Sequence, residues 1–543
     1  MFSIFWASIL SVVVLFLLIR FVFLKPLLVF AKARAIRALD IENYNNNSDY
    51  SLPGFLPIHT EVTHAKVVVE GEIPADLQGL YLRNGTNSLY TDNDSRRHMF
   101  NGSGMIHQIN IDQGKALYTN RYNQTPRYKA EKAAGKELYI EFGDAAGGGK
   151  PALAKILVTM LQQKFGFIPA IDNLTNSGSS TAIQYHHGTV YALSENNYPF
   201  ALNPGMNDGH VFFDGSGEHH DFDGRLKQHP YTAHPKIDPE TGDWFSFGND
   251  NTKSRKVFYD VLSEGSLDKH ELVMLPTPAS AFVHDSNITE HYAVLPDLSI
   301  KVDPNGLKEA HKSIVLFDPD YNIRFGILKR DFKEGDPIQW FTSAGPGHIW
   351  HTINAWEEKR EDGGTDVVLF TPVFREYDSS VPIHSSEESP AKLYKYRFNL
   401  DSGEVTEERC LLDHFYERPT INTRYLGKPS RYAYLIDEGG ANGVMGKGVL
   451  KYDMIDEQEV SYFDYGEFRG GEALFVEKPN ATAEDDGYLM DLLMSDEQAY
   501  LVIIDAATMQ EMAKLHLPQR VPYGVHSCWL NQEQLAAINS KAV

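Results

Sequence analysis

From about residue 57 to residue 535 the chain is a succession of short β-type runs, with no regular alternation of long helices. AKVVVEGEI, TVYALSE, HYAVLPD, DVVLFTPVF, LYKYRFNL, YAYLID and AYLVIIDAAT are rich in β-branched and aromatic residues. Turn-forming stretches such as DPETGD, DPDYN and NLDSGE separate runs of this kind. Many short strands without crossover helices restrict the fold to an all-β sandwich, barrel or propeller. The span is too long for one sandwich, so a propeller is predicted, although no WD or kelch-like repeat marks its blades.

Two segments stand outside this pattern. Residues 1–30 begin with an uncharged run from Met1 to Ile19, long enough to span a bilayer, and Arg20 and Lys25 are placed to snorkel at its far end. Lys32, Arg34 and Arg37 follow while nothing positive precedes, which predicts a single-pass anchor with the bulk of the chain on the cytosolic side. A cleaved signal peptide is the rival, weakened by the missing basic n-region. Residues 31–56 read as a polar tether, and 57–535 as the β body. Within that body, residues 151–168 carry Leu153, Ile156, Leu157, Met160, Leu161 and Phe165 at helical spacing. The ordinary expectation is a helix that packs this face on the β body; the alternative is that the face, with Phe167 and Ile168, meets a membrane.

Charge and cysteine usage exclude several chemistries. There are 50 Lys and Arg against 73 Asp and Glu, a formal net charge of -23, and no basic stripe for a nucleic acid. Cys410 and Cys528 are the only cysteines, too few for a disulfide framework, a zinc ribbon or a thiolate cluster. A bound transition metal would therefore use histidines and carboxylates. The sequons at Asn84, Asn101 and Asn287 fall in stretches expected to be structural, where a glycan would obstruct folding. GDAAGGGKP and GGANGVMGKG lack the spacing of a phosphate loop, and no G-x-S-x-G elbow or H-E-x-x-H pair is present.

Of 21 histidines, four have a shared context: His234, His284, His351 and His526 each lie at or just before a β-type run, dispersed along the chain. Dispersal of this kind suits a propeller whose blades each send one residue to the axis. The four segments, in this order, resemble those of the carotenoid cleavage dioxygenase family (the carotenoid oxygenases). LYLRNGTNSLY, HMFNGSGMIHQINI, VYALSENNYPFAL, HTINAWEE and EDDGYLMDLLM add to the resemblance, which runs from about Pro57 to Leu530.

The resemblance implies a seven-bladed β-propeller with a helical and loop cap over one face. It implies a non-haem Fe(II) held by His234, His284, His351 and His526, with Glu195, Glu417 and Glu472 behind the ligands and Thr181 near an open iron position. The family reaction adds both atoms of O2 across one C=C bond of an apolar polyene and yields two carbonyl products. Four neutral imidazoles suit this, since carboxylates one shell out fix their tautomers while octahedral iron keeps open positions. His348, three residues before His351, reads as structural or tunnel-lining, and Asn354, Trp356 and Glu357 as fixing the strand. The chain departs from the family's FDGDGM with FNGSGM (Phe100 to Met105), and has Ser527 where His-Gly is common.

Other functions stay open on the sequence. Stilbene-cleaving members usually carry Lys near the position of Arg127, and an Arg fork is not a Lys point charge. A retinoid-type isomerase and a pigment-binding propeller without turnover are the remaining readings, the last disfavoured by the complete set of ligands and glutamates.

Overall fold

The short runs fold back on one another through tight turns, so the strands of each sheet are sequence neighbours and pair antiparallel. In the computed structural model, residues 11–542 are described apart from 12–13, 16–18, 91–93, 196, 251–255, 264–272, 275–281, 309–312, 379–389 and 440–444. Seven sheets of four or five strands form the blades of a propeller, and a two-stranded hairpin (Ile300–Val302 with Val315–Phe317) is inserted into the fourth. Blades two to six each begin with the innermost strand and step outward. These inner strands are Ala182–His186, Lys236–Ile237, Asn287–Ile288, Asn354–Lys359 and Tyr416–Thr420.

The ring is closed twice by strands from opposite ends of the sequence. Ser527–Asn531 is the inner strand of blade one, paired with Gly79–Asn87 in a register that sets Arg83 opposite Ser527. Val68–Gly71 completes the outer edge of blade seven by pairing with Gln510–His516. Leu474–Glu477 is that blade's inner strand.

Apolar side chains fill the wedges between neighbouring blades rather than one central core. Leu80 and Ile106 of blade one meet Ile183, Phe200 and Phe213 of blade two. Tyr434 and Val449 of blade six meet Leu489 and Val502 of blade seven. Trp244 and Trp356 are essentially without exposure; full burial of side chains this large is worth a few kcal/mol each. Asn84, Asn101 and Asn287 are all buried, in keeping with sequons that carry no glycan.

Half of the predicted anchor, residues 1–10, 12–13 and 16–18, lies outside the described residues. Among the described residues no helix is long and apolar enough to cross a membrane. The first regular elements are a π-helical turn at Ile19–Leu24 and an α-helix at Lys25–Ala38. The stretch expected as a polar tether holds the end of that helix, a short helix at Ile41–Asn47 and 3-10 turns at Asp49–Ser51 and Pro53–Phe55, with Ala35, Leu39 and Tyr50 buried.

The helix predicted within 151–168 spans Gly149–Lys164, but its apolar face does not all turn inward. Leu153 and Ile156 pack beside Leu39, Ala152 and Leu307. Leu157, Met160 and Leu161 are 52%, 58% and 39% exposed, while Lys155, Thr159 and Gln162 are buried. The reason is electrostatic. The Lys155 ammonium sits 2.5 Å from an Asp144 carboxylate oxygen and 2.9 Å from Ser95 Oγ, and that pairing fixes which side of the helix faces in.

Candidate metal centre

Each of the seven inner strands is entered at a polar side chain. In chain order these are Thr181, His234, His284, His351, Glu417, Glu472 and His526. These residues lie within three positions of the strand starts, and the gathering of those starts around the axis brings together residues far apart in sequence.

The four histidines converge. The His234 ring centroid lies 4.4, 5.1 and 4.5 Å from those of His284, His351 and His526. His351 is 5.1 Å from both His284 and His526, and the Nε2 atoms of His284 and His351 are 3.4 Å apart. Donor atoms of His234, His351 and His526 all lie within 4.8 Å of one another.

Three of the four have a carboxylate behind them. His284 Nδ1 meets Glu195 Oε1, His351 Nδ1 is 2.5 Å from Glu417 Oε2, and His526 Nδ1 is 3.2 Å from Glu472 Oε1. An Nδ1 proton donated to a carboxylate leaves the Nε2 lone pair free for the centre. The carboxylates are themselves held: Glu472 accepts the Ser527 N–H at 3.0 Å and Glu417 accepts the Arg418 N–H. Thr181 takes its place through its own N–H, which donates to the Leu193 carbonyl at 3.0 Å.

Burial, and then the crowding of the other imidazoles, holds His234 well below the usual imidazole range; burial and the neighbouring His284 and His526 do the same to His351. His284 moves up, because the Glu195 carboxylate outweighs the effect of burial. His234 Nε2 is buried with no protein partner, an arrangement that costs free energy unless something accepts its lone pair. Imidazoles crowded to this degree, with an orphaned nitrogen lone pair among them, fit a divalent cation.

His348 is fully buried, stacked on Phe374 with ring centroids 4.6 Å apart. Asn354 Nδ2 donates to the carbonyls of Tyr425 and Lys428 and to Ser430 Oγ. Trp356 Nε1 donates to Glu358, and Glu357 accepts from Thr289 and His291. All four serve the strand that aims His351. Gly524 allows the approach to His526: a Cβ there would lie 2.7 Å from the Asn84 carbonyl oxygen. Arg127, considered above as a discriminator of phenolic substrates, is buried against Glu141 and Glu131.

The chain matches the retinal pigment epithelial membrane protein family over residues 55–531. It belongs to this family, the carotenoid oxygenases. Membership makes this carotenoid oxygenase a dioxygenase-type oxidoreductase. It is 34% identical over 519 residues to the carotenoid 9,10(9',10')-cleavage dioxygenase 1 of Arabidopsis thaliana, covering 90% of this chain and 92% of the relative. Among solved structures, the lignostilbene dioxygenase of Pseudomonas brassicacearum superposes with a TM-score of 0.73 at 25% identity, covering 89% and 98% of the two chains. A variant of the Synechocystis apocarotenoid oxygenase gives 0.73 at 25%, with the same coverage.

Two features of this carotenoid oxygenase had no signal in the sequence. Asp285 cross-links three blades just beyond the histidines, accepting from Lys236 Nζ at 2.9 Å and from Thr352 N and Oγ1 at 2.8 and 3.0 Å. Arg418 is buried with its φ at +42° and pairs with Glu438 at 2.6 Å. Their partners lie elsewhere in the sequence, on or next to other strands, where spacing carries no information.

Proposed function

We propose that this chain is an iron-dependent dioxygenase that cleaves one C=C bond of a carotenoid or apocarotenoid with O2, giving two carbonyl products. The supporting observation is the convergence of four imidazoles, three of them backed by carboxylates, a donor set suited to a first-row divalent metal. His234, His284, His351 and His526 would hold Fe(II), with Glu195, Glu417 and Glu472 orienting the rings and Thr181 beside an open position. Bound iron supplies the means by which O2 becomes reactive toward an alkene. The chain's own residues do positional work: the carboxylates hold the Nδ1 protons, and the strand starts hold the rings. Both oxygen atoms end in the products, so no side chain is needed as general base.

The test is anaerobic purification, iron quantification, then O2 with a carotenoid, an apocarotenal or a stilbene. Aldehyde products from a carotenoid or apocarotenoid, lost in His351→Ala together with the iron, support the assignment. Cleavage of the stilbene alone moves the substrate class, and full turnover by iron-free protein overturns the reading.

We also read the exposed apolar residues Phe23, Leu27, Phe30, Leu157 and Met160 as a membrane-facing surface. Phe23 lies in the Ile19–Leu24 turn and the others on the Lys25–Ala38 and Gly149–Lys164 helices, which pack on each other. Exposed Lys25, Arg34 and Arg37 suit a headgroup layer. Residues 1–30 would act as a single-pass anchor and 57–535 as the catalytic body on the cytosolic side. Extraction by alkaline carbonate separates the cases: an anchor resists it, and full release contradicts a membrane span.

A further inference from the structure

The inner strands run away from the histidines, so the propeller has a second end, and no residue of the helical segment 126–164 lines the open space there. A cavity of about 820 Å³ lies along that side of the axis. His234, His351 and His526 line its inner end, while Asp76, Thr423 and Asn480, all exposed, stand at its rim. Gln184, Thr352 and Thr420 from three different inner strands or their approaches line the passage between. Open space therefore connects solvent with three of the four proposed ligands.

The lining is acidic. Its carboxylates are Asp76, Asp238, Asp285, Glu472 and Glu477, against Lys236 and Lys478. Asp285 pairs with Lys236, Asp238 with Arg330 and Glu477 with Arg424, while Lys478 is matched by Asp486 and Asp505, so Asp76 and Glu472 supply the negative excess. A narrow passage with an excess of carboxylates between low-dielectric walls concentrates cations and repels anions. A divalent cation sheds water only where oxygen or nitrogen donors replace it, and an apolar route would cost many kcal/mol. Carboxylate and hydroxyl groups occur down to the level of the histidines: Asp285 and Thr352 are hydrogen-bonded to each other there, and Glu472 borders both the cavity and His526.

We propose that this axial channel is the path by which the metal ion reaches the histidines, separate from the route of an apolar substrate. It rests on the ligand assignment made above. A barrier placed in such a path slows both directions equally and leaves the equilibrium unchanged.

Metal-stripped full-length protein is mixed with Co(II), uptake is followed by the cobalt absorption bands, and release is followed after adding a chelator. Thr420→Trp and Gln184→Trp narrow the channel, and neither residue is a proposed ligand. Each is expected to slow uptake and release alike by roughly tenfold or more, with final cobalt content and equilibrium affinity unchanged. Asp76→Asn with Glu477→Gln is expected to slow uptake and reduce its dependence on ionic strength. Should a Trp variant misfold, Thr420→Cys in a Cys410→Ser background, converted after folding to a bulky mixed disulfide with a methanethiosulfonate, closes the channel, and reduction of that disulfide reopens it. Cys528 also lines the cavity, so the Cys410→Ser protein treated with the same reagent is the control, and its uptake and release are expected to be unchanged. Unchanged uptake and release in the folded, narrowed proteins overturn the channel proposal while the ligand assignment stands. Failure of the wild type to bind cobalt at all overturns the ligand assignment, and the channel with it.

Discussion

His348 and His351 stand three residues apart, yet their rings serve opposite ends. His351 faces the axis with Glu417 behind it, whereas His348 lies flat on Phe374 in the apolar layer between blades. His351→Ala should abolish stoichiometric metal binding, measured by elemental analysis. His348→Ala should retain the metal but lose roughly 2–4 kcal/mol of stability in urea unfolding, since it empties a packed site. Glu417→Gln keeps the shape and loses the charge, and should weaken metal affinity about 10–100-fold in a competition titration. Asp491 offers a prediction away from the metal. It is buried, accepts from the Tyr465 hydroxyl and the Gly471 N–H, and burial pushes it up to about 6. Between its unfolded value near 4 and 6, the folded chain binds the extra proton, so this group's contribution falls as pH rises through that window. Wild-type stability relative to Asp491→Asn should therefore decline from pH 4 to pH 6, by roughly 3 kcal/mol at most. The four converging histidines were legible because each sits in a distinctive segment; the Asp285–Lys236 and Arg418–Glu438 pairs were not, since each joins residues brought together only by the fold.

At the scale of elements, the Gly149–Lys164 helix shows what periodicity can and cannot settle. Apolar spacing predicted a helix, and a helix forms. Spacing did not reveal which face turns inward, because Lys155 reverses the usual preference by finding Asp144 and Ser95 beneath the helix. Removing the carboxylate while leaving the buried ammonium should be costly. Asp144→Ala is expected to destabilise the chain by about 3–5 kcal/mol, and a paired Lys155→Met, Asp144→Leu replacement should recover much of that loss. Thermal melts of the two variants at neutral pH separate these outcomes. The exposed Leu157, Met160 and Leu161 that result are an apolar surface on the outside of the molecule rather than a core.

The whole ring depends on strands exchanged between its ends. Ser527–Asn531 supplies both the inner strand of blade one and, just before it, His526. A chain cut after Tyr523 should lose metal binding and also unfold with broad, non-coincident transitions by fluorescence and circular dichroism, because blade one loses its axial strand. The all-β class followed from the strand pattern, while the blade number came through the family resemblance, since no repeat of fixed period marks the blades. Closure was hidden for a simple reason: Gly79 pairs with Asn531 across nearly the whole sequence, and no local pattern encodes a contact at that range.

That closure has a consequence for the order in which the protein is made. The segment bearing His526 leaves the ribosome after every other blade, so His234, His284 and His351 wait in a partial ring until it arrives. A nascent or stalled chain lacking that segment has no complete set of imidazoles to offer, so the metal proposed above would be held only once blade one is closed.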